Sequence, residues 1–127
     1  MSAEVIVVKA GDVGKQDAGD TKGMKRSSAL VGCSEKMCSL IMEAEPNSSS
    51  AVHHHGEQDT IVYALYGKGQ IAFGPDASQR HEILPGDHAL IPAFVEHQEI
   101  NPGSEKLVWV IIRSGSKPMT ENLENWS

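Results

Sequence analysis

The chain is interrupted too often by turn-forming residues to hold a long helix. Apolar segments of about four to nine residues, SALVG, KMCSLIMEA, AVHHH, TIVYALYGK, QIAFG, RHEIL, HALIPA and KLVWVIIRS, recur between GCSE, EPNSSS, GKG, GPDAS, LPGD and NPGSE. No segment before the C-terminus sustains an apolar stripe of helical period over the roughly ten residues a typical helix needs. KLVWVIIRS is apolar through its centre, and its β-branched and aromatic content favours a strand. Many short strands at nearly regular spacing predict an all-β sandwich or barrel. The Gly67-Lys68-Gly69 turn reads as a hairpin, and Val5 to Val8 as a further strand leading into the Gly-, Asp- and Lys-rich arm GDVGKQDAGDTKGMK. The expected organisation is an N-terminal strand and arm over residues 1–30, a barrel over 31–116 and a tail over 117–127 that lies against the barrel or a partner subunit.

With 127 residues there is room for one core and not two. Seventeen acidic residues against eleven basic ones give a net charge of -6, which disfavours a nucleic-acid partner or an anionic membrane surface. No apolar run approaches the ~18 residues needed to span a bilayer as a helix. Two cysteines, Cys33 and Cys38, make no disulfide framework or paired zinc motif, and read as buried thiols. With no secretory signal pattern at MSAEVIVVKAGD, a cytoplasmic location is the expectation.

The chemistry begins with six histidines, three of them consecutive. Side chains alternate across a strand, so His53 and His55 can converge on one point while His54 faces away. Two imidazoles so placed have metal-ligand spacing and need further donors from elsewhere. The pair is equally compatible with a solvated face. GDHALIPAFVEHQEIN offers a third nitrogen, His97, delivered onto a strand after Pro92 ends the one before. His81 and His88 read as surface or rim residues.

Taken together, HHHGEQDTIVYALYGKG and GDHALIPAFVEHQEIN resemble the cupin superfamily, over most of Met37 to Ser114. The family's first motif reads G, five residues, H-x-H, three or four residues, E, six residues, G. His53, His55 and Gly67 fit it when Thr60 takes the glutamate position, while Asn47 stands where the first Gly belongs. The second motif reads G, five residues, P-x-G, two residues, H, three residues, N. Gly86, Pro92, His97 and Asn101 fit, and Phe94 replaces the middle Gly.

The resemblance implies a double-stranded β-helix, the jelly-roll or cupin barrel, with a divalent transition metal (Fe, Mn, Ni, Cu, Co or Zn) held by His53, His55 and His97. With Thr60 at the glutamate position the ion would keep its full charge and favour a bidentate anion such as an enolate, diketonate, 2-oxo acid or catecholate. The shorter spacing would instead turn Asp59 inward. Glu57, Asp59, Glu96 and Glu99 lie near the ligands in sequence, each more commonly a solvated charge than an imidazole partner or base. Glu57, on the HGEQD loop, is the favoured one, so Glu57, Asp59 and Thr60 are the candidate catalytic residues. Tyr63 and Phe94 could line a pocket, though an aromatic in a strand is more often core.

The function expected is a metal-dependent, dioxygenase-type reaction on a small oxygenated anion. The alternatives are a non-catalytic binding or sensing barrel and a cupin isomerase, decarboxylase or dehydratase. A small-molecule substrate is the expected partner, and a homodimer the expected assembly, with Val5 to Val8 offered for edge pairing.

Overall fold

Alternate residues along the longest strands are buried, so the sequence pattern directly sets which side chains face the interior. A computed structural model describes residues 4–15 and 20–127. Its strands are β1 (Met24–Ser28), β2 (Met37–Ala44), β3 (Ser48–Ser49), β4 (His53–His54), β5 (Thr60–Tyr66), β6 (Gly69–Phe73), β7 (Gln79–Ile83), β8 (His88–Ile91), β9 (His97–Asn101), β10 (Leu107–Ser114) and β11 (Glu121–Asn122). One sheet runs β1-β2-β10-β5-β8 and the other β11-β4-β9-β6-β7, with β3 also pairing β9; the pairings are antiparallel. This is the expected double-stranded β-helix.

The core lies between the sheets. Leu40, Met42 and Ala44 of β2, Val62 and Ala64 of β5, and Leu107, Trp109 and Ile111 of β10 meet Ile71 and Ile83 from the opposite sheet. The inner face of β10 continues past Ile111 to Arg113, that of β1 passes from Met24 through Arg26 to Ser28, and that of β9 carries His97, Glu99 and Asn101. The interior therefore changes from hydrocarbon to polar groups along the strands. Asn101 joins the two sheets, its Nδ2 donating to the carbonyls of Ala44 and Glu105 at 3.1 and 2.9 Å.

Several local expectations are corrected. Val5 to Val8 forms no strand, and Val5, Ile6 and Val7 are exposed. Residues 1–3 and 16–19, the latter part of the predicted arm, lie outside the described residues. The strand expected within SALVG starts earlier, at Met24, and ends at Ser28: the alternate inward placement of Met24, Arg26 and Ser28 sets it, rather than a continuous apolar run. EPNSSS, taken as a separator, contributes the short β3, and the tail contributes β11.

The Gly67-Lys68-Gly69 turn is no hairpin. It carries the chain from β5 in one sheet to β6 in the other. Gly67 has a φ of 77°, and a side chain there would strike the Lys106 backbone; one on Gly69 would strike Leu107 and Trp109. The glycines thus serve close passage beneath β10. Cys33 is exposed, and only Cys38 is buried.

Candidate metal centre

Register brings the histidines together. β4 and β9 pair with His53 opposite His97, and His55 follows one residue beyond β4 on the same side as His53. The ring centroids lie 4.3 Å apart for His53 and His97, 4.7 Å for His55 and His97, and 5.2 Å for His53 and His55. All three side chains are buried, and one ring nitrogen of each lies within 4.8 Å of the others. His54 faces away, its Nε2 3.4 Å from Glu121 of the tail.

The hydrogen bonds fix which nitrogen of each ring is available. His53 Nδ1 lies 2.7 Å from the Ala51 carbonyl and His97 Nδ1 2.9 Å from that of Val95. A carbonyl only accepts, so both Nδ1 atoms carry a proton, which leaves Nε2 as the ring nitrogen free to act as a ligand. His55 reaches the same state differently. The Arg113 guanidinium can only donate, and its Nη2 lies 3.1 Å from His55 Nε2; His55 Nδ1–H then donates to Thr60 Oγ1 at 2.8 Å. Among the described residues, the Nε2 atoms of His53 and His97 are buried with no hydrogen-bond partner. Buried polar atoms are rarely left so, and converging imidazoles with Nδ1 tied suit a divalent transition metal.

Electrostatics keeps the His55 and His97 rings neutral. Burial, then the Arg113 charge, pushes the His55 pKa down to about 2. Burial likewise lowers His97 to about 4, against the opposing pull of Glu99. Glu99 itself is fully buried, which opposes ionisation, yet His53, Arg26 and His97 together hold its carboxyl well below the ordinary range. Its Oε1 lies 3.7 Å from His53 Nε2 and 3.5 Å from an Arg26 nitrogen.

The other sequence candidates sit at different depths. Thr60 is buried against His55 and holds the ring from behind. Asp59 is exposed, and its Oδ1 accepts from the Ala93 N–H at 2.9 Å; the register that would turn it inward is not adopted. Glu57 is exposed on the loop after His55. Glu96 is bound to Ser127 at the C-terminal end, whereas Glu99, which shared its reading as a solvated charge, lies inside. Tyr63 sits on the outer face of β5, 4.8 Å from His88, and Phe94 is mostly exposed.

Arg26 and Arg113 went unrecognised as site residues. The alternation of KLVWVIIRS carried the signal for Arg113, because a strand that buries Leu107, Trp109 and Ile111 must also turn Arg113 inward. Beside His97 lies a cavity of about 350 Å³, lined largely by apolar groups including Ile71, Phe73, Ile83, Ile91 and Val95, with His81 also at its wall.

The cupin domain family model matches residues 40–113, more than half of the chain. The chain belongs to the cupin family. This cupin superposes on a sugar phosphate isomerase of the cupin superfamily from Silicibacter pomeroyi with a TM-score of 0.64 at 23% identity, covering 81% of this chain and 67% of that one. Against oxalate decarboxylase from Bacillus subtilis the TM-score is 0.74 at 23% identity, covering 86% of this cupin but only 30% of the decarboxylase. A Klebsiella pneumoniae protein with a double-stranded β-helix domain gives a TM-score of 0.71 at 18% identity, with coverage of 84% and 90%. No curated protein matches the chain. At these identities the likeness extends to the fold.

The glycine departures from the cupin motifs have a common structural feature. Asn47 and Phe94 have φ of 56° and 64°, so both substituted positions keep the left-handed backbone for which glycine is suited. Asn accepts that conformation readily; Phe does so at a cost.

Proposed function

We propose that this cupin is a metal-dependent enzyme acting on a small oxygenated anion or enolisable substrate, with dioxygenase-type chemistry the first activity to test. The observation that carries the reading is the convergence of three buried imidazoles, one ring nitrogen of each lying within 4.8 Å of the others. His53, His55 and His97 would hold the ion. A divalent transition metal bound there supplies Lewis acidity toward a substrate oxygen, and a redox-active one also couples the substrate to O2.

The chain's own residues do the remainder. Thr60 holds the His55 ring in orientation, Asp59 fastens the Ala93 loop beside the site, and Glu57 is assigned to contact with incoming substrate at the mouth. Glu99 supplies a buried negative charge, and Arg26 and Arg113 bring two positive ones, so an anionic ligand is favoured over a neutral one. The apolar cavity beside His97 suits the hydrocarbon part of such a ligand and excludes water from it.

A second reading is a non-redox isomerase or decarboxylase, the activities carried in the names of the sugar phosphate isomerase and oxalate decarboxylase neighbours. Manganese is one candidate ion, since Mn(II) centres are described in that decarboxylase. The exposed Val5, Ile6 and Val7 support pairing of two chains through this segment, and a cytoplasmic location completes the reading. Metal analysis of untagged protein, then oxygen uptake with diketones, 2-oxo acids and catechols, tests the enzyme proposal. Turnover without oxygen uptake selects the second reading. Ligand-induced stabilisation with no turnover under air or anaerobically selects a binding protein.

A further inference from the structure

Arg113 is only 2% exposed, and its guanidinium is held from two sides. Nη1 donates to the Met119 carbonyl at 2.8 Å and to Thr120 Oγ1 at 3.3 Å, tying the side chain to the tail. Nη2 donates to His55 Nε2 at 3.1 Å, while Nε is buried with no hydrogen-bond partner among the described residues. The nitrogen of His55 that Arg113 occupies is the lone pair required for metal ligation. A single lone pair cannot serve both, so ligation deprives Nη2 of its acceptor. The Nη1 bonds to the tail would still retain the guanidinium beside the site.

We propose that Arg113 is the anion-receiving residue of this centre, passing its Nη2 donor from His55 Nε2 to an oxygen of a carboxylate or enolate ligand when His55 turns to the metal. This rests on the three-histidine reading and names the ligand class for it. A buried guanidinium deprived of a neutral acceptor carries an unmet donor and an unmet charge, and an oxyanion satisfies both. Metal and anion must then bind cooperatively, each tightening the other by the same factor. Without an anion, Arg113 opposes the ion through like charge and by competing for His55.

The test is Co(II) titration of untagged full-length protein, with acetate as probe and chloride at equal ionic strength as control. Acetate should tighten Co(II) binding by about tenfold in the unsubstituted protein. Arg113→Met should bind Co(II) alone more tightly and lose the acetate effect. Co(II) binding without an acetate effect overturns the role of Arg113 and leaves the metal site standing; no Co(II) binding overturns both. Folded Arg113→Met that retains the acetate effect, or binds Co(II) more weakly, makes Arg113 a structural clamp for the tail. Should that variant not fold, the side-chain 15N–1H resonances of Arg113 in Zn(II)-loaded unsubstituted protein carry the test. They must shift with acetate, and must not shift with acetate in metal-free protein; either failure contradicts the proposal.

Discussion

Thr60 Oγ1 lies 2.8 Å from His55 Nδ1, so the residue at the cupin glutamate position contacts the back of a ligand ring. That contact both satisfies Nδ1–H and directs Nε2 inward. Thr60→Val keeps the shape and leaves the buried N–H without an acceptor. Stability should fall by about 1–3 kcal/mol, and metal affinity by about tenfold or more. Denaturant unfolding and metal titration read the two effects; unchanged metal affinity would show that His55 is oriented by other contacts.

The buried histidines set a pH dependence. Their folded-state pKa values, about 2 for His55 and about 4 for His97, lie below the ordinary 6.5. Below pH 6.5 the unfolded chain therefore binds protons that the native chain refuses, and stability falls as pH falls. The loss is roughly 1.4 kcal/mol per pH unit for each histidine. It ends for His97 once pH passes about 4 and continues for His55 toward about 2. Glu99, lowered well below 4.5, adds a loss of the same sign at more acid pH. Urea midpoints of metal-free protein should be level above neutrality and decline toward pH 5; a level midpoint throughout would contradict buried neutral rings.

Phe94 keeps a φ of 64° at the position of a motif glycine, and the residue is 61% exposed. Replacing it with Gly removes the left-handed penalty and sacrifices little burial. Phe94→Gly should gain about 1 kcal/mol, seen as a rise in Tm of a few degrees. A lower Tm would mean that the ring's contact with His54 outweighs the backbone cost.

Gln58 fastens the tail: its Nε2 donates to the Lys117 carbonyl at 2.6 Å and its Oε1 accepts from Met119 N–H at 2.8 Å. β11, further along the tail, pairs with β4, which bears His53. Gln58→Ala should speed amide exchange over residues 117–123 far more than in β2 or β10, and cost about 1–2 kcal/mol. Uniform acceleration across the barrel would show that the tail unfolds only with the whole.

The barrel was legible because turn residues bound nearly every strand and alternation marks the inner faces. The three histidines were legible because H-x-H obeys strand periodicity and His97 stands at a fixed step after Pro92. The depth of a charged residue was harder to read. Glu96 and Glu99 look alike in VEHQEIN, yet Glu99 shares the inward face of His97 two residues earlier, and strand phase alone separates them. Arg26 lies in MKRSS, whose polar composition hides a strand that exists because it pairs with β2. The crossing at Gly67 escaped for a related reason: a short glycine turn is compatible with a hairpin or a passage between sheets, and the pairing of β5 with β10 and β8 decides.

The most direct test is metal titration of untagged protein beside His97→Ala, the variant that removes one of the three convergent nitrogens. The unsubstituted chain should bind one divalent transition metal per protomer, and His97→Ala, folded by circular dichroism, should lose binding by at least about tenfold. Stoichiometric metal held with undiminished affinity by folded His97→Ala would contradict the three-histidine centre.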